Sequence, residues 1–395
     1  MSMSSSQKSL SNRSFTAKWH ESMETIDREQ WNRLAIPMKN PFLEWEWLFM
    51  LERSKSICPD RGWYPKHLTL YENNRMLAAA PLYIKMNSEG EYIYDLDWFN
   101  IASRMDIAYY PKMVGTIPLT PVPGYRFLVD SQEDERWIAR ILVKLINQYC
   151  KAQKINSCNF LYIDDDWIPI MNQLRFVEWK HYTYQWHNRN YIDYDHFLQT
   201  LKTSHRKNIK RERNALEKQN IQLNVHIGDN IPKSFYSHMR NFYIHTGNKY
   251  DSESEPYFTP HFFDQLSAYY DHRSMFITAH SAMRPEKPLA MAYFVYKGQR
   301  LSGRYWGTEL DIPFLHFNVC YYRAIQWAIE NNIQVVDPGA GGVHKLKRGF
   351  PATLFHSLHL FYDWRFQLLM MQHIDQINEL EQKEVNLLNE NLKKK

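Results

Sequence analysis

Cysteine is scarce in this sequence, and its few copies are far apart. The 395 residues include four cysteines, with no CxxC pair and no other short metal-ligand spacing among Cys58, Cys150, Cys158 and Cys320. Such a set is too sparse for a disulfide framework and too scattered for a zinc site. The cysteine usage favours a reducing compartment, and we expect the protein to be cytoplasmic.

Long apolar runs are absent as well. A helix needs about 18 to 20 largely uncharged residues to cross a bilayer, whereas the apolar stretch 77–84 is only of strand length. The Ser-rich beginning of the chain lacks the apolar middle of a secretory signal. We therefore expect no membrane-spanning segment and a disordered N-terminus over residues 1–14.

Several catalytic motifs are also missing. The sequence contains no HExxH, EF-hand, GxSxG or GxxxxGK[ST] pattern. Zinc proteases, calcium sites, nucleophile-elbow hydrolases and P-loop nucleotide binding thus have no support, and no metal dependence is expected. The formal net charge is only +5, so any affinity for a polyanion must come from a local basic patch.

The chain is long and rich in apolar and aromatic residues. Apolar residues make up 44% of it and aromatic residues 15%, which is more than a disordered protein carries. Its length exceeds what one hydrophobic core usually supports, so two domains are expected. We predict a first domain over 15–190, a second over 191–365 that begins with a basic helix, and a charged helical tail over 366–395.

The order of predicted elements repeats along the chain. Each half is predicted as a strand, two helices, three strands, a helix and a strand, and one further strand follows at the end. An amphipathic helix over 133–149 leads into a strand near 159–163, and such a crossover implies a parallel pair in a mixed α/β fold. The proline-rich stretch 111–123 is predicted as loop, and Tyr92 and Ile93 as strand.

A basic run over residues 202–213 is the first segment that could carry chemistry. It holds six formal positive charges, and Glu212 is the only acid within it. At helical spacing Arg206 and Lys210 share a face, and with Lys207 they could contact phosphates or an RNA backbone. The alternative is a solvated face that is balanced by acids elsewhere in the fold.

The second segment is a strand with a glycine at each end, at 303 and 307. Glycines permit close approach of a ligand, so Arg304, Tyr305 and Trp306 are candidates for substrate binding. A helix that starts after this strand would offer free N–H groups to an anion, with His316 at the mouth of the site. The alternative for His316 is a buried histidine whose hydrogen bonds are satisfied.

The third segment, residues 337–350, follows a predicted buried strand. Loops at the carboxyl ends of parallel strands commonly bind ligands, and glycines give this loop unusual freedom. The candidate residues are Gly339, Gly341, Gly342, His344, Lys345, Lys347 and Arg348. The alternative is a mobile basic loop.

Stretches in both halves together carry a family resemblance. They are residues 40–43, 63–68 and 79–83, the basic run 204–213, and the segments 303–307, 313–322 and 344–350. This combination resembles the FemAB-like proteins of the GNAT acyltransferase superfamily, which are associated with peptidoglycan biosynthesis or recognition. The resemblance covers residues 15–365, and it implies a tandem of two GNAT-like domains.

The resemblance also implies an activity, namely acyl or aminoacyl transfer to an amine acceptor such as a peptidoglycan-precursor peptide. Fem transferases take the amino acid from aminoacyl-tRNA, so the implied partner of the basic helix 202–213 is tRNA. For that reaction Lys345 would stabilise the oxyanion, and His344 or His316 would accept the proton of the amine. Lys347 and Arg348 would grip phosphate.

The sequence departs from the resemblance in two places, and two alternatives stay open. It lacks a coiled-coil arm, and it lacks the Q/RxxGxG/A loop that holds the pyrophosphate of acetyl-CoA. One alternative is an acetyl-CoA-dependent N-acetyltransferase that uses the backbone N–H groups of residues 339–342 instead. The other is a non-catalytic module that binds a cell-wall peptide or another protein.

Overall fold

A computed structural model describes residues 13–250, 256–390 and 392 of the chain. The predicted disordered N-terminus lies outside these ranges except for Arg13 and Ser14, and Arg13 is held by ion pairs to Glu72 and Glu133. No helix in the described ranges combines the length and the apolar character needed to span a membrane.

The first half of the chain interleaves short strands with helices. The strands are β1 (Thr16–His20), β2 (Trp63–Pro65), β3 (His67–Glu72), β4 (Arg75–Ala80), β5 (Leu82–Lys85), β6 (Lys112–Gly115), β7 (Leu128–Val129), β8 (Ser157–Phe160) and β9 (Val177–Tyr184). The helices are α1 (Arg28–Ala35), α2 (Trp45–Arg53), α3 (Leu96–Arg104), α4 (Glu135–Ala152) and α5 (Ile168–Met171). Asp27 and Asp134 cap α1 and α4 by accepting a backbone N–H of the first turn.

The second half has longer strands and a broken helix. The strands are β10 (Trp186–His187), β11 (Ile221–Ile227), β12 (Ser274–Ser281), β13 (Arg284–Lys297), β14 (Arg300–Thr308), β15 (Val335–Asp337) and β16 (Ala352–Phe361). The helices are α6 (Tyr194–Thr200), α7 (Thr203–Glu217), α8 (Ser234–Tyr250), α9 (Pro260–Tyr269), α10 (Leu315–Phe317), α11 (Arg323–Glu330) and α12 (Trp364–Glu390). A π-helical turn, Asn318–Tyr322, joins α10 to α11.

Each half contains one parallel strand pair within a mostly antiparallel sheet. The sheet orders are β1-β3-β4-β7, β2-β5-β6-β8-β16-β9 and β10-β15-β14-β13-β12-β11. The parallel pairs are β6 with β8 and β14 with β15. Helix α4 makes the crossover of the first pair and helices α10 and α11 that of the second, so the predicted mixed α/β class with tandem GNAT-like halves is confirmed.

The two halves exchange strands. Strand β16 comes near the end of the chain, yet it lies between β8 and β9 of the first-half sheet. Strand β10 directly follows β9, yet it pairs with β15 of the second-half sheet. Gln185 separates β9 from β10, and its N–H bonds to the carbonyl of Pro351 where the chain returns. Hydrogen bonds thus connect the two predicted domains. The boundary near residue 190 stays a prediction.

The halves also share apolar and ionic contacts. The ring of Trp47 on α2 packs 5.3 Å from that of Phe262 on α9. The carboxylate of Glu44 is buried and pairs with Arg273 at 2.8 Å and with Lys297 at 2.6 Å. Burial alone would raise the pKa of Glu44, but these cations and His272 lower it to about 2. The sheets are therefore fixed relative to each other.

Two local predictions are wrong. The proline-rich stretch contains β6, because Pro111 directly precedes this strand and its missing N–H costs no bond within β6. Tyr92 and Ile93 form no strand, and Tyr92 has a left-handed φ of 57°. Residues 88–95 instead cross the face of the first-half sheet, where the Tyr162 hydroxyl donates to the carbonyl of Tyr92.

Helix α12 is a packed element rather than a solvated tail. Phe366, Met370 and Ile374 are buried against the first half, while Val385 is buried in the core of the second. The side chain of Asn378 accepts from the N–H of Lys180 and donates to the carbonyl of Glu178. Because β9 is an edge strand, α12 covers backbone groups that would otherwise invite intermolecular pairing.

We expect Asn378→Ala to lower the free energy of unfolding by about 1–3 kcal/mol, because two backbone groups of β9 lose their partner. Chemical denaturation measures this change directly. Asn386→Ala, on the same helix, removes an exposed side chain whose hydrogen bond comes from Gln382, and it should change stability by less than about 0.5 kcal/mol. Equal stability of both variants would mean that α12 does not protect the edge strand.

Candidate active site between the halves

A cleft of about 770 Å³ opens between the two halves. Ser56, Asp60, Arg61, Trp63, Glu89 and Leu119 line it from the first half, and Tyr243, Tyr257, Arg304, Tyr305 and Trp306 are among its second-half residues. Its volume lies within the range of about 300–1,000 Å³ typical of small-molecule sites, and rings with a few charged groups make up its walls.

Strand β14 brings the three predicted substrate-binding residues to this cleft. Arg304 spans the halves, since its Nη2 donates to the carbonyl of Leu119 at 2.7 Å and its guanidinium lies over Phe42. Its Nε is buried and has no hydrogen-bond partner among the described residues. Arg304 lines the cleft, and its positive charge there can attract an anionic group of a ligand.

Trp306 connects the cleft to a cluster of histidines. Its ring lies 4.4 Å from that of His316, which in turn is 6.3 Å from the ring of His344. Strands β14 and β15 pair only as far as Ser302 and Asp337. His344 belongs to the loop that follows β15, so the cluster lies beyond the carboxyl end of a parallel strand, where ligands commonly bind.

The π-helical turn sets two tyrosines in place. Its wider winding directs Tyr321 to His344, with 3.1 Å between the hydroxyl and Nε2, and Tyr322 to the carboxylate of Glu212. The side chain of Asn318 donates to the backbone carbonyl of Glu212 at 2.9 Å. Turns of this kind are rare and often occur at functional sites. Here the turn ties helix α7 and the loop after β15 to one point.

The glycine-rich loop wraps around the ammonium group of Lys345. Gly339 has a left-handed φ of 86°, and its N–H donates to Oδ1 of the buried Asp337. The resulting turn directs the carbonyls of Gly339 and Ala340 to Nζ of Lys345, at 2.7 and 2.8 Å. Burial lowers the pKa of Lys345 to about 8, so the group still carries its charge at neutral pH.

The two candidate histidines differ in their chemistry. Burial, with smaller contributions from His344 and Lys345, lowers the pKa of His316 to about 3. A ring with that pKa is a weak proton acceptor near neutrality. His344 is exposed, and burial lowers its pKa from the ordinary value without taking it out of contact with solvent. Of the two predicted bases, His344 is the better suited.

Arg348 does not point to an open phosphate site. Its Nη2 pairs with both carboxylate oxygens of Glu212 at 3.0 and 3.1 Å, and its Nη1 donates to the carbonyl of His344. Its guanidinium also lies 3.4 Å from the ring centre of Phe317. These contacts assign Arg348 the task of fastening the loop to helix α7, which the sequence prediction had not foreseen.

Helix α7 keeps a basic outer face. Lys207 and Lys210 are exposed, Arg206 is half-buried, and Lys210 lies 3.7 Å from Asp195. The pKa of His205 on this helix is lowered by burial, then by Lys202 and by the exposed Lys347. Lys347 is therefore near the helix. The fold thus joins two basic segments that are distant in sequence into one surface.

Gly341 and Gly342 are the outer part of the loop. Both have left-handed φ values, of 67° and 92°, which side chains with a Cβ adopt at a cost. A Cβ atom at position 342 would also lie only 2.5 Å from the ring of His344, which is a collision. Gly342 therefore lets His344 fold back over the loop.

Sequence reasoning missed one whole wall of the cleft. Arg61 donates to the carbonyls of Pro256 and Tyr257, and Trp63, Glu89 and Leu119 complete the first-half side. The partner of Arg348 was missed as well. The one sequence feature that could have indicated it is Glu212, the single acid within the basic run. No group of three or more potential metal ligands occurs within the described ranges.

Comparisons with solved structures show which fold the chain shares. The crystal structure of FemX matches with a TM-score of 0.53 and 11% identity, over 90% of this chain and 99% of that one. The C-terminal domain of a putative lysylphosphatidylglycerol synthetase from Agrobacterium fabrum matches with a TM-score of 0.50 and 9% identity, over 87% and 94%. At such identities, the likeness shows a shared fold.

Two searches compared the sequence itself with known proteins. A search of curated proteins found no match. The model of the FemAB-like family, described as peptidoglycan biosynthesis/recognition, matches residues 22–395. The chain therefore belongs to the FemAB-like family.

Proposed function

We propose that this protein transfers an acyl or aminoacyl group to an amine acceptor that resembles a peptidoglycan-precursor peptide. One observation carries the proposal: Trp306 lines the inter-half cleft, and its ring contacts that of His316, which lies near the buried ammonium group of Lys345. The cleft is large enough for an acceptor, and the cluster offers acid–base and electrostatic chemistry beside it. Family membership supports the same class of reaction.

The proposed reaction starts with an unprotonated amine in the cleft. Its nitrogen attacks the donor's ester or thioester carbonyl, and the new C–N bond forms as the carbonyl oxygen becomes an oxyanion. Lys345 uses two of its three N–H donors on the loop, and the third is assigned to this oxyanion. The bond to the leaving oxygen or sulfur then breaks, and the amine proton passes through His344 to that atom.

The charges around the cluster favour an aminoacyl-tRNA over acetyl-CoA as the donor. The N–H of Gly339 is already bound to Asp337. By contrast, the exposed lysines of α7 and Lys347 offer a basic surface to a polyanion. Acetyl-CoA is the donor of our second candidate function.

Binding assays separate the two donors. Acetyl-CoA should raise the melting temperature only if it is the donor. If charged tRNA is the donor, it should bind with an affinity that falls as salt rises. If neither binds while a cell-wall peptide does, the proposed transfer is wrong and a non-catalytic binding module is left. The location in the cytoplasm remains a prediction, with which the four free cysteines agree.

We expect the double variant Lys207→Ala/Lys210→Ala to bind tRNA with a shallower salt dependence. Each lost phosphate contact lowers the slope of log affinity against log salt by about 0.7–0.9. Filter binding over a series of salt concentrations measures the slope. Lys144→Ala removes an exposed lysine of α4 and serves as the control. Identical slopes for all three proteins would remove α7 from the donor site.

A further inference from the structure

A second cavity, of about 450 Å³, lies on the first half beside the inter-half cleft. Five aromatic residues are among those that line it, and the centroids of Tyr92 and Tyr257 lie 5.8 Å apart. Phe99 and Tyr110 form another pair at the same separation. Tyr94 is 87% exposed. A soluble surface rarely leaves so many rings together in water unless they bind something.

A carboxylate lies at the floor of this cavity. Asp95 lines it and is only 6% exposed. Its Oδ2 accepts hydrogen bonds from Ser88, Tyr109 and Lys112, at 2.7–2.9 Å. Its Oδ1 accepts none from the part of the chain that the structure describes. Asp95 keeps 8% of its side chain accessible and lines the cavity, so an N–H or a cationic group of a ligand can reach this carboxylate.

Asp95 is charged at neutral pH. Burial raises the pKa of this carboxyl, but the ammonium of Lys112 and the hydrogen bonds lower it further, so the net shift is downward. Glu89 adds a second carboxyl at the rim, and the lining contains no basic side chain. An anionic ligand is therefore disfavoured. A neutral apolar ligand would fit the rings but would make no use of the two carboxyl groups.

The wall is held rigid from behind. The ammonium group of Lys85 donates to Oδ1 of Asn87 and to the carbonyl of Glu89, and it lies 3.6 Å from the ring centre of Trp63. The N–H of Leu119 donates to the carbonyl of Gly90. Loop 86–95 is thus fixed before any ligand arrives, which lowers the entropic cost of binding.

We propose that this cavity is a binding site for an organic ammonium cation. The rings supply cation–π attraction. The opposite charge comes from Glu89 at the rim and from Asp95, whose charge Lys112 partly compensates. The site adjoins the inter-half cleft, with which it shares Glu89 and Tyr257, but it does not depend on the proposed transfer. A ligand with a primary or quaternary ammonium group meets each requirement of the cavity.

Choline and its uncharged analogue, in which carbon replaces the quaternary nitrogen, test the proposal on the full-length protein. They have the same shape, so the difference between their dissociation constants reports the charge. Choline should bind at least about tenfold more tightly, which corresponds to about 1.4 kcal/mol. Equal dissociation constants for the two probes would mean that the cavity does not recognise the charge, which would overturn the proposal. Failure of both probes to bind would overturn it as well.

Variants locate the bound choline. Tyr94→Ala and Phe99→Ala remove exposed rings of the cavity, and each should weaken choline binding by at least about fivefold. Tyr64→Ala removes a partly exposed ring outside the cavity and should leave binding unchanged. If all three variants bind choline like the wild type, the cation sits elsewhere and the proposal is wrong. Because binding is measured without turnover, the result is independent of any transferase activity.

Discussion

Replacing Lys345 by Met should lower the rate of acyl transfer by about 10²–10³-fold, which is the usual cost of removing one oxyanion donor. Met has a similar length and no charge, so the variant also removes the penalty of burying an ammonium group. The carbonyls of Gly339 and Ala340 lose a donor, which costs the loop some stability, but the rest of the chain should stay folded while the chemistry slows. Single-turnover assays of wild type and variant, with circular dichroism as a check of folding, measure both effects.

The pH dependence gives an independent test of the same residue. Folding lowers the pKa of Lys345 to about 8, so its positive charge is present below that pH and is lost above it. The wild-type rate should consequently fall as the pH rises through about 8, and this limb should vanish in Lys345→Met. Lys144→Met, with an exposed lysine replaced, should retain both the rate and the limb. If Lys345→Met reacts at the wild-type rate, Lys345 only supports the loop.

Replacing Glu212 by Ala should lower the free energy of unfolding by about 3–5 kcal/mol. The substitution leaves the guanidinium of Arg348 buried without a counter-ion and takes away the acceptor of the Tyr322 hydroxyl. Both side chains of the ion pair are nearly inaccessible, with 11% and 7% exposed, so water cannot fully replace the lost partner. Denaturant titration gives the size of the change.

A second variant shows whether the lost ion pair is the cause. Glu212→Ala/Arg348→Met removes the unpaired charge together with its partner, and it should be more stable than Glu212→Ala alone. Glu217→Ala, at an exposed position of the same helix, should remain within about 0.5 kcal/mol of the wild type. If Glu212→Ala unfolds at the wild-type midpoint, the pair does not anchor the loop.

Much of the fold followed from local patterns. The apolar periodicity of α4 is encoded in adjacent residues, and this helix was predicted from the sequence. The strand exchange of β10 and β16 was not, because the pairing partner of a strand depends on contacts between distant residues. Strand β6 was missed for a related reason, since four residues next to a proline give too short a pattern to outweigh that proline.

The site was predicted only in part. Glycines and cations next to a strand indicated the second-half segments around Trp306 and Lys345 as candidates, and their roles stay predictions. The first-half wall around Arg61 and Trp63 could not be found, because no local pattern connects residue 61 with residue 256. The partner of Arg348 was likewise beyond reach, since an arginine in a basic loop has the same sequence signature whether it faces solvent or a buried acid.

The central claim is that the chain catalyses transfer to an amine. It is tested most directly by incubating the wild-type protein with a peptidoglycan-precursor peptide and a pool of aminoacyl-tRNAs, and then weighing the peptide by mass spectrometry. We predict a product that is heavier by one amino acid residue and that is lost with Lys345→Met. An unchanged peptide mass, with aminoacyl-tRNA or with acetyl-CoA as donor, would contradict the account.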